Sequence, residues 1–298
     1  MKIRIGTRGS ALALWQAEHV GQRLAALGHA VECRVITTTG DRVLDRRLEN
    51  VGGKGAFLKE IEEALLAGEV DLAVHSLKDV PVALPGGLRL CGVLERADPR
   101  DVLVSRSGRG LRALPAGARI GTTSLRRRAQ LRACRPDLEL ADLRGNVDTR
   151  LRRVQAGDYD AAVLARAGLD RLGRAHEATE VLATEVLLPA PGQGAVALEC
   201  RADDAALSEA VEPLDHPPTA RAVAAERAFL AALGGGCNVP LAALAEGEGG
   251  GLRLRGLVAR ERDGRVLLGE RRGAEPEPLG RALAEELLAR GAGELLAP

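Results

Sequence analysis

The sequence predicts an α/β fold. Two lobes, each a mostly parallel sheet covered by helices, are joined by two chain crossings, and a small C-terminal α+β domain with an antiparallel sheet follows. Three observations predict this. Short β-branched or apolar runs alternate with helical patterns over the first two thirds of the 298 residues, as in covered parallel sheets. Two proline-bearing connectors, Glu95–Asp101 and Pro189–Gly194, separate two such series, as at a hinge that the chain crosses and recrosses. In the last third, strand-like runs flank Asp263-Gly264, a hairpin turn signal.

Taken in order, Lys2–Thr7 reads as a strand. Ser10 can cap a helix to about Leu27, with Leu12, Val20, Leu24 and Leu27 as its apolar positions. Val31–Thr37 is extended, Gly55–Ala67 helical and closed by Gly68, and Leu72–Val74 a short buried strand. In the second series Val102–Ser105, Arg119–Gly121, Leu138–Leu143 and Ala161–Ala165 read as strands, and Ser124–Cys134 and Asp148–Ala156 as helices. Val196–Cys200 is a further strand. A helix at about Thr219–Leu233 precedes strands near Leu241–Ala245, Leu252–Ala259 and Arg265–Glu270, and Leu279–Arg290 is the last helix. Glu246–Gly251 and Ala274–Pro278 read as exposed loops. No internal repeat is evident.

Composition narrows the function. The hydrophobic fraction of 46% supports real cores, which are aliphatic because Trp15, Phe57, Tyr159 and Phe229 are the only aromatic residues. So few rings argue against base stacking on single-stranded nucleic acid. A net charge of +1 gives no whole-molecule attraction for polyanions. The five cysteines are scattered, odd in number and without CxxC spacing, against zinc or a disulfide framework and in favour of a reducing compartment. No secretory signal or bilayer-length apolar run is evident, so a soluble cytoplasmic protein is expected.

Three turns share one design: Thr7-Arg8-Gly9-Ser10, Gly121-Thr122-Thr123-Ser124-Leu125-Arg126-Arg127 and Arg144-Gly145-Asn146-Val147-Asp148-Thr149-Arg150. In each a strand ends and a helix begins, with arginine and a hydroxyl or amide at the junction. Helix N-termini carry unpaired N–H groups and partial positive charge, and guanidinium adds a fork matched to carboxylate or phosphate. Ordinary capping explains any one such turn; three at strand ends imply a ligand with several negative groups. No GxxxxGK[ST] and no GxGxxG behind a strand is present, and Gly52-Gly53-Lys54-Gly55 reads as a flexible loop that could serve as a lid. In Val74–Pro81, Asp79 stands at a strand end beside Lys78, where a carboxylate can exchange protons or stabilise a cation. His75 lacks a GxSxG partner and reads as structural. In Gly234–Pro240, Cys237 is flanked by glycines, so a large group could approach or attach to its sulfur.

These ordered segments resemble the porphobilinogen deaminase (hydroxymethylbilane synthase) family over nearly the whole chain. They are Thr7–Ala17, Val51–Gly55, Asp71–Pro81, Gly121–Arg127, Leu143–Arg150, Leu188–Cys200 and Gly234–Pro240. The resemblance implies three domains: 1–96 with 194–214, 97–193, and 215–298. The first two would be lobes like those of type II periplasmic binding proteins. It implies a monomeric transferase with a dipyrromethane cofactor joined to Cys237 by a thioether. Four porphobilinogen molecules would be added head to tail, each losing ammonia, and hydrolysis would release the linear tetrapyrrole hydroxymethylbilane. Asp79 matches the catalytic aspartate, which would stabilise the azafulvene cation left by ammonia loss. Arg8, Arg126, Arg127, Arg144, Arg150 and Arg171 match arginines that bind cofactor and substrate carboxylates. Ser10, Lys78, Thr122, Thr123 and Ser124 would add donors, and Gly145, Asn146 and Gln193 are carried over as binding residues. Lys54 and Phe57 match the lid. Asn50 and Asn238 depart from residues common in the family. No metal, nucleic acid or membrane partner is implied.

Two other classes compete. A plain carboxylate-binding module has no need of Cys237. A cysteine hydrolase needs a histidine base beside Cys237, and the sequence places none of His75, His176 or His216 there.

Overall fold

The computed structural model describes residues 1–39, 58–235 and 239–297. They form two compact units, Met1–Ala97 with Ala195–Ala220, and Asp98–Gly194 with Arg221–Pro298.

In the first unit, apolar runs become β1 (Lys2–Thr7), β2 (Ala30–Val35), β3 (Leu72–Ser76) and β4 (Leu88–Val93). The returning chain adds β10 (Val196–Arg201). The sheet order is β2-β1-β3-β10-β4. β1 runs parallel to β2 and β3, and β10 antiparallel to β3 and β4. Helices α1 (Ala11–Ala26) and α2 (Lys59–Leu66) cover opposite faces. The Val20 and Leu24 side chains of α1 pack with Ile3, Ile5 and Val74, whereas Ile61 and Leu65 of α2 pack with Ala73. Adjacent strand residues point to opposite faces, so each face needs its own helix.

The second unit repeats the plan. Its strands are β5 (Asp101–Ser105), β6 (Arg119–Gly121), β7 (Glu139–Ala141), β8 (Ala161–Ala165) and β9 (Glu180–Val181). Their order is β7-β6-β8-β5-β9, with β6 parallel to β7 and β8, and β5 antiparallel to β8 and β9. In each sheet the antiparallel inner strand is the first one formed after the chain crosses from the other unit. The absence of a sequence repeat does not prevent this, because topology follows the order of pairing apolar runs rather than residue identity. Helices α3 (Leu125–Cys134), α4 (Val147–Gln155) and α5 (Arg166–Arg171) belong to this lobe.

After α6 (Ala205–Val211) in the first unit, α7 (Pro217–Ala232) leads to the antiparallel meander β11 (Leu241–Glu248), β12 (Gly251–Arg260) and β13 (Arg265–Gly273). Both faces of this sheet are covered. Leu241, Ala243 and Leu254 pack with Phe229 of α7 and with Leu283 and Leu287 of α8 (Pro276–Ala289), and α9 (Ala292–Leu296) closes that side. Ala242, Leu244, Leu257 and Ala259 point the other way, onto Ala129 of α3 and Leu188. The two α/β lobes and the small antiparallel α+β part are thus as predicted. Two loop expectations are corrected. The 246–251 segment is strand paired up to Glu248↔Gly251 around a turn in which Gly249 and Gly250 have positive φ. Helix α8 begins inside 274–278, because proline is tolerated in a first turn whose N–H groups lack helical partners.

Candidate active site

The first unit gathers one group of the expected residues. Arg8 and Ser10 link β1 to α1, and the Ser10 Oγ accepts the Ala13 N–H at 3.3 Å. Lys78 and Asp79 lie in the single 3-10 turn Leu77–Asp79 at the carboxyl end of β3, the parallel neighbour of β1. Buried Leu77 holds that turn, its N–H donating to the Ala195 carbonyl at 3.0 Å. Arg8, Ser10, Gln16, His75, Ser76 and Asp79 line one open pocket. Its wall is braced by the Gln16 amide, which donates from Nε2 to the Ser76 Oγ at 2.9 Å. A carboxylate, a guanidinium and a helix N-terminus therefore share one pocket.

The second unit gathers another group. β6 and β7 are parallel neighbours, and each feeds a helix N-terminus. At α3 the Ser124 Oγ accepts the Arg127 N–H at 3.4 Å, and the Thr122 Oγ1 accepts the Ser124 N–H at 3.2 Å. At α4 the Asn146 Oδ1 accepts the Thr149 N–H at 2.9 Å. The Thr122 N–H donates to the Ala141 carbonyl at 2.9 Å, which ties the two turns together. Gly145 has φ +103°, and a Cβ there would lie 2.8 Å from the Thr149 methyl, so this turn requires glycine. Arg150 donates from Nε to the Gly145 carbonyl at 2.8 Å. Arg171 donates to the Gly194 carbonyl at 2.7 Å, and burial lowers its guanidinium to about 10, still a cation at neutral pH. Thr123 and Arg144 belong to the same two turns.

Arg126 and Arg127 are nearly buried around Asp101, at the head of β5. Arg126 pairs with Asp101 at 2.8 Å and donates to the Leu188 carbonyl at 2.6 Å. Arg127 pairs with Asp101 at 2.6 Å and donates to the Val163 carbonyl at 2.9 Å. Gln193 donates to Asp101 at 2.9 Å and to the Pro99 carbonyl at 2.6 Å. Burial alone would raise the Asp101 carboxyl, but the two guanidinium charges hold it well below the usual carboxylate range. Burial lowers Arg126, and Asp101 opposes that shift. Both arginines thus fix the first turn of α3 to the sheet as well as placing positive charge beneath it.

His75 matches its structural reading, with Nε2 3.0 Å from the Glu199 Oε2 in a buried pair. Lys54, Phe57 and Cys237 lie outside the described residues, as do Asn50 and Asn238. Sequence reasoning missed Gln16, Asp101 and Glu199. For the two acids a signal existed: each is a charged residue at the head or in the middle of an apolar strand run. Among the described residues, no group of three His, Cys, Asp or Glu side chains could hold a metal ion, and no helix is long and apolar enough to cross a membrane.

Two family models match the chain. Residues 3–209 match "Porphobilinogen deaminase, dipyromethane cofactor binding domain", and residues 220–289 match "Porphobilinogen deaminase, C-terminal domain". A porphobilinogen deaminase of Roseiflexus sp. (strain RS-1) is 54% identical over 297 residues, covering 98% of each chain. Another, of Xanthomonas campestris pv. campestris (strain B100), is 53% identical over 299 residues, covering 99% of this chain and 98% of that one. Among solved structures, a putative lipoprotein from Actinomyces odontolyticus aligns with TM-score 0.45 at 16% identity, over 72% of this chain and 89% of its own. The methionine-binding protein MetQ aligns with TM-score 0.41 at 16% identity, over 68% and 84%.

Proposed function

The chain belongs to the porphobilinogen deaminase family, and from that membership we propose that it joins four porphobilinogen molecules head to tail, releasing ammonia at each step, to make hydroxymethylbilane. The observation that carries this reading is Asp79 sharing a strand-end pocket with Arg8 and Ser10. We further propose the three-part division into 1–96 with 194–214, 97–193 and 215–298. Its last part would carry the cofactor on Cys237, and the protein would act as a cytoplasmic monomer.

The residues fit a dipyrromethane. Such a group presents four carboxylates and two pyrrole N–H groups, and the second unit offers two neighbouring helix N-termini with an arginine at each turn. The Arg127 Nε is buried without a partner, one cationic donor still unmatched. Ser124, Arg144, Asn146, Arg150 and Arg171 would hold the carboxylates, and Thr122 and Thr123 would position that surface. When bound, the dipyrromethane supplies a nucleophilic pyrrole carbon as primer.

The other roles belong to the chain's own residues. Porphobilinogen's acetate and propionate would meet Arg8, the Ser10 hydroxyl and Lys78, while the pyrrole N–H donates to the Asp79 carboxylate. Loss of ammonia leaves a cationic methylene-pyrrole. A fixed carboxylate beside it stabilises that charge without reorganising, the larger part of what such a site contributes. Lys54 and Phe57 would also bind substrate, and Gln193 would hold the connector to Asp101.

Incubation of the full chain with porphobilinogen tests this reading. One ammonia per porphobilinogen and four porphobilinogens per linear product are expected. Asp79→Asn should keep the attached cofactor and lose turnover by about 100-fold or more, the scale of removing a fixed electrostatic or proton-transfer group. Undiminished turnover in that variant would remove Asp79 from the chemistry.

A further inference from the structure

Helix α3 opens with three consecutive arginines, Arg126-Arg127-Arg128. Successive helical residues are turned by about 100°, so the three cannot all face one partner. Arg126 and Arg127 take Asp101. Arg128 faces another way and has no part in the chemistry above.

Its guanidinium meets two acids on different elements. Nε donates to the Glu261 Oε1 at 2.8 Å, and Nη1 donates to the Asp142 Oδ1 at 3.1 Å. The Arg128 side chain is 18% exposed. Glu261 stands in the turn between β12 and β13, and the same oxygen accepts from the Arg132 Nη2 at 3.4 Å, one helical turn along α3. That hairpin tip lies directly on the helix. A Cβ on Gly264 would be 3.0 Å from the Ala133 nitrogen, a backbone atom, and Val266 packs with the cluster around Ala129.

Asp142 stands where β7 gives way to the Arg144-Gly145-Asn146 turn. Its carbonyl accepts the Tyr159 O–H at 2.5 Å, and the Ala141 carbonyl before it accepts the Thr122 N–H. Leu143 after it is fully buried. The main chain is thus tied to the lobe, and the Asp142 side chain reaches across to Arg128. Asp142 is 53% exposed and Glu261 25%, and ion pairs so exposed add little stability. What Arg128 supplies is geometry, because a planar fork with two occupied arms fixes both partners relative to its helix.

We propose that Arg128 is a positioning residue: one guanidinium couples the tail hairpin at Glu261 to the placement of the Arg144–Asn146 anion turn beside the N-terminus of α3. The hairpin belongs to the sheet that follows Cys237 in sequence. The part of the chain that would carry the primer and the turns that would grip its carboxylates are then adjusted together. That last consequence rests on the function proposed above; the coupling does not.

Hydrogen exchange of the resting full chain, wild type against Glu261→Gln and Arg128→Met, tests the coupling. Glu261 lies on the hairpin, yet Glu261→Gln should speed exchange in peptides covering 138–147 by about two- to fivefold, the scale of a partly exposed ion pair, with β5 unchanged. Arg128→Met should do the same at 138–147 and at 260–266, while the unfolding midpoint falls by no more than about 4 °C. In porphobilinogen turnover both variants should lower kcat about tenfold, since a 1 Å misplacement costs on the order of 100-fold. KM should change little, because Arg8, Ser10 and Lys78, which would meet the incoming substrate, lie in the other unit. A purely structural ion pair would leave both 138–147 and kcat alone in Glu261→Gln. Exchange that quickens only at the hairpin in that variant, or an active wild type whose kcat neither variant lowers, overturns the proposal. If Arg128→Met does not fold, Glu261→Gln decides. The exchange is read without turnover, so the two readings fail separately. An inactive wild type with coupled exchange refutes only the proposed function, and an active one without it refutes only the coupling.

Discussion

Asp101 holds three functional candidates of the second unit at once: Arg126, Arg127 and Gln193. Nothing local in the sequence reveals this. The Gly121–Arg127 turn reads as an anion site because its residue types match the other two turns. The burial of its arginines depends on an acid about 25 positions upstream, which only the folded sheet brings near. Asp79, Arg8, Ser10 and the caps Ser124 and Asn146 were legible because their placement at strand ends and helix starts is set by neighbours in sequence. Removing the Asp101 charge leaves two buried cations uncompensated. Asp101→Asn should therefore destabilise the protein by about 3–5 kcal/mol in denaturant unfolding. The native Asp101 carboxyl sits below its ordinary value. Its contribution is present above the usual aspartate range of about 3.9 and falls away as pH drops toward the lower folded value. The acid limb of the stability curve should be shallower in the variant, and an unchanged limb with wild-type stability would show that Asp101 is not the keystone of this network.

At the scale of elements, the helices behind the caps Ser10, Ser124 and Asn146 match their sequence reading to within a residue or two, whereas α6, capped by Asp204, has no such match. β4, β9 and α6 were not read. Leu88–Val93 lacks clean alternation, and Glu180–Val181 is too short to carry a period, so tertiary pairing alone makes them strands. The contact between α7 and α8 is likewise invisible to pattern reading. A Cβ on Gly280 would lie 2.3 Å from the Ala225 carbonyl oxygen and 2.7 Å from the Phe229 nitrogen, both backbone atoms that cannot turn aside. Gly280→Ala should thus cost about 1–3 kcal/mol by overpacking, although alanine is the better helix former. Calorimetry reads this directly, and a variant as stable as wild type would mean the two helices sit farther apart than described.

Over the whole molecule, two sheets share one strand plan, and each receives its antiparallel inner strand immediately after a crossing of the chain. The two-lobed α/β class and the α+β tail were legible because they depend on the order of apolar runs and connectors. The shared plan was not, because it lies in pairing rather than in residue identity. On these lobes the paired helix N-termini, the Asp79 pocket and membership of the porphobilinogen deaminase family support one account, an enzyme that extends a primer fixed to Cys237. The intact mass of the full chain, purified after expression with porphobilinogen available, tests that account most directly. A mass above that of the bare polypeptide by two linked pyrrole units, absent in Cys237→Ser, is predicted. Wild-type protein at the bare mass, or the same excess retained in Cys237→Ser, would contradict it.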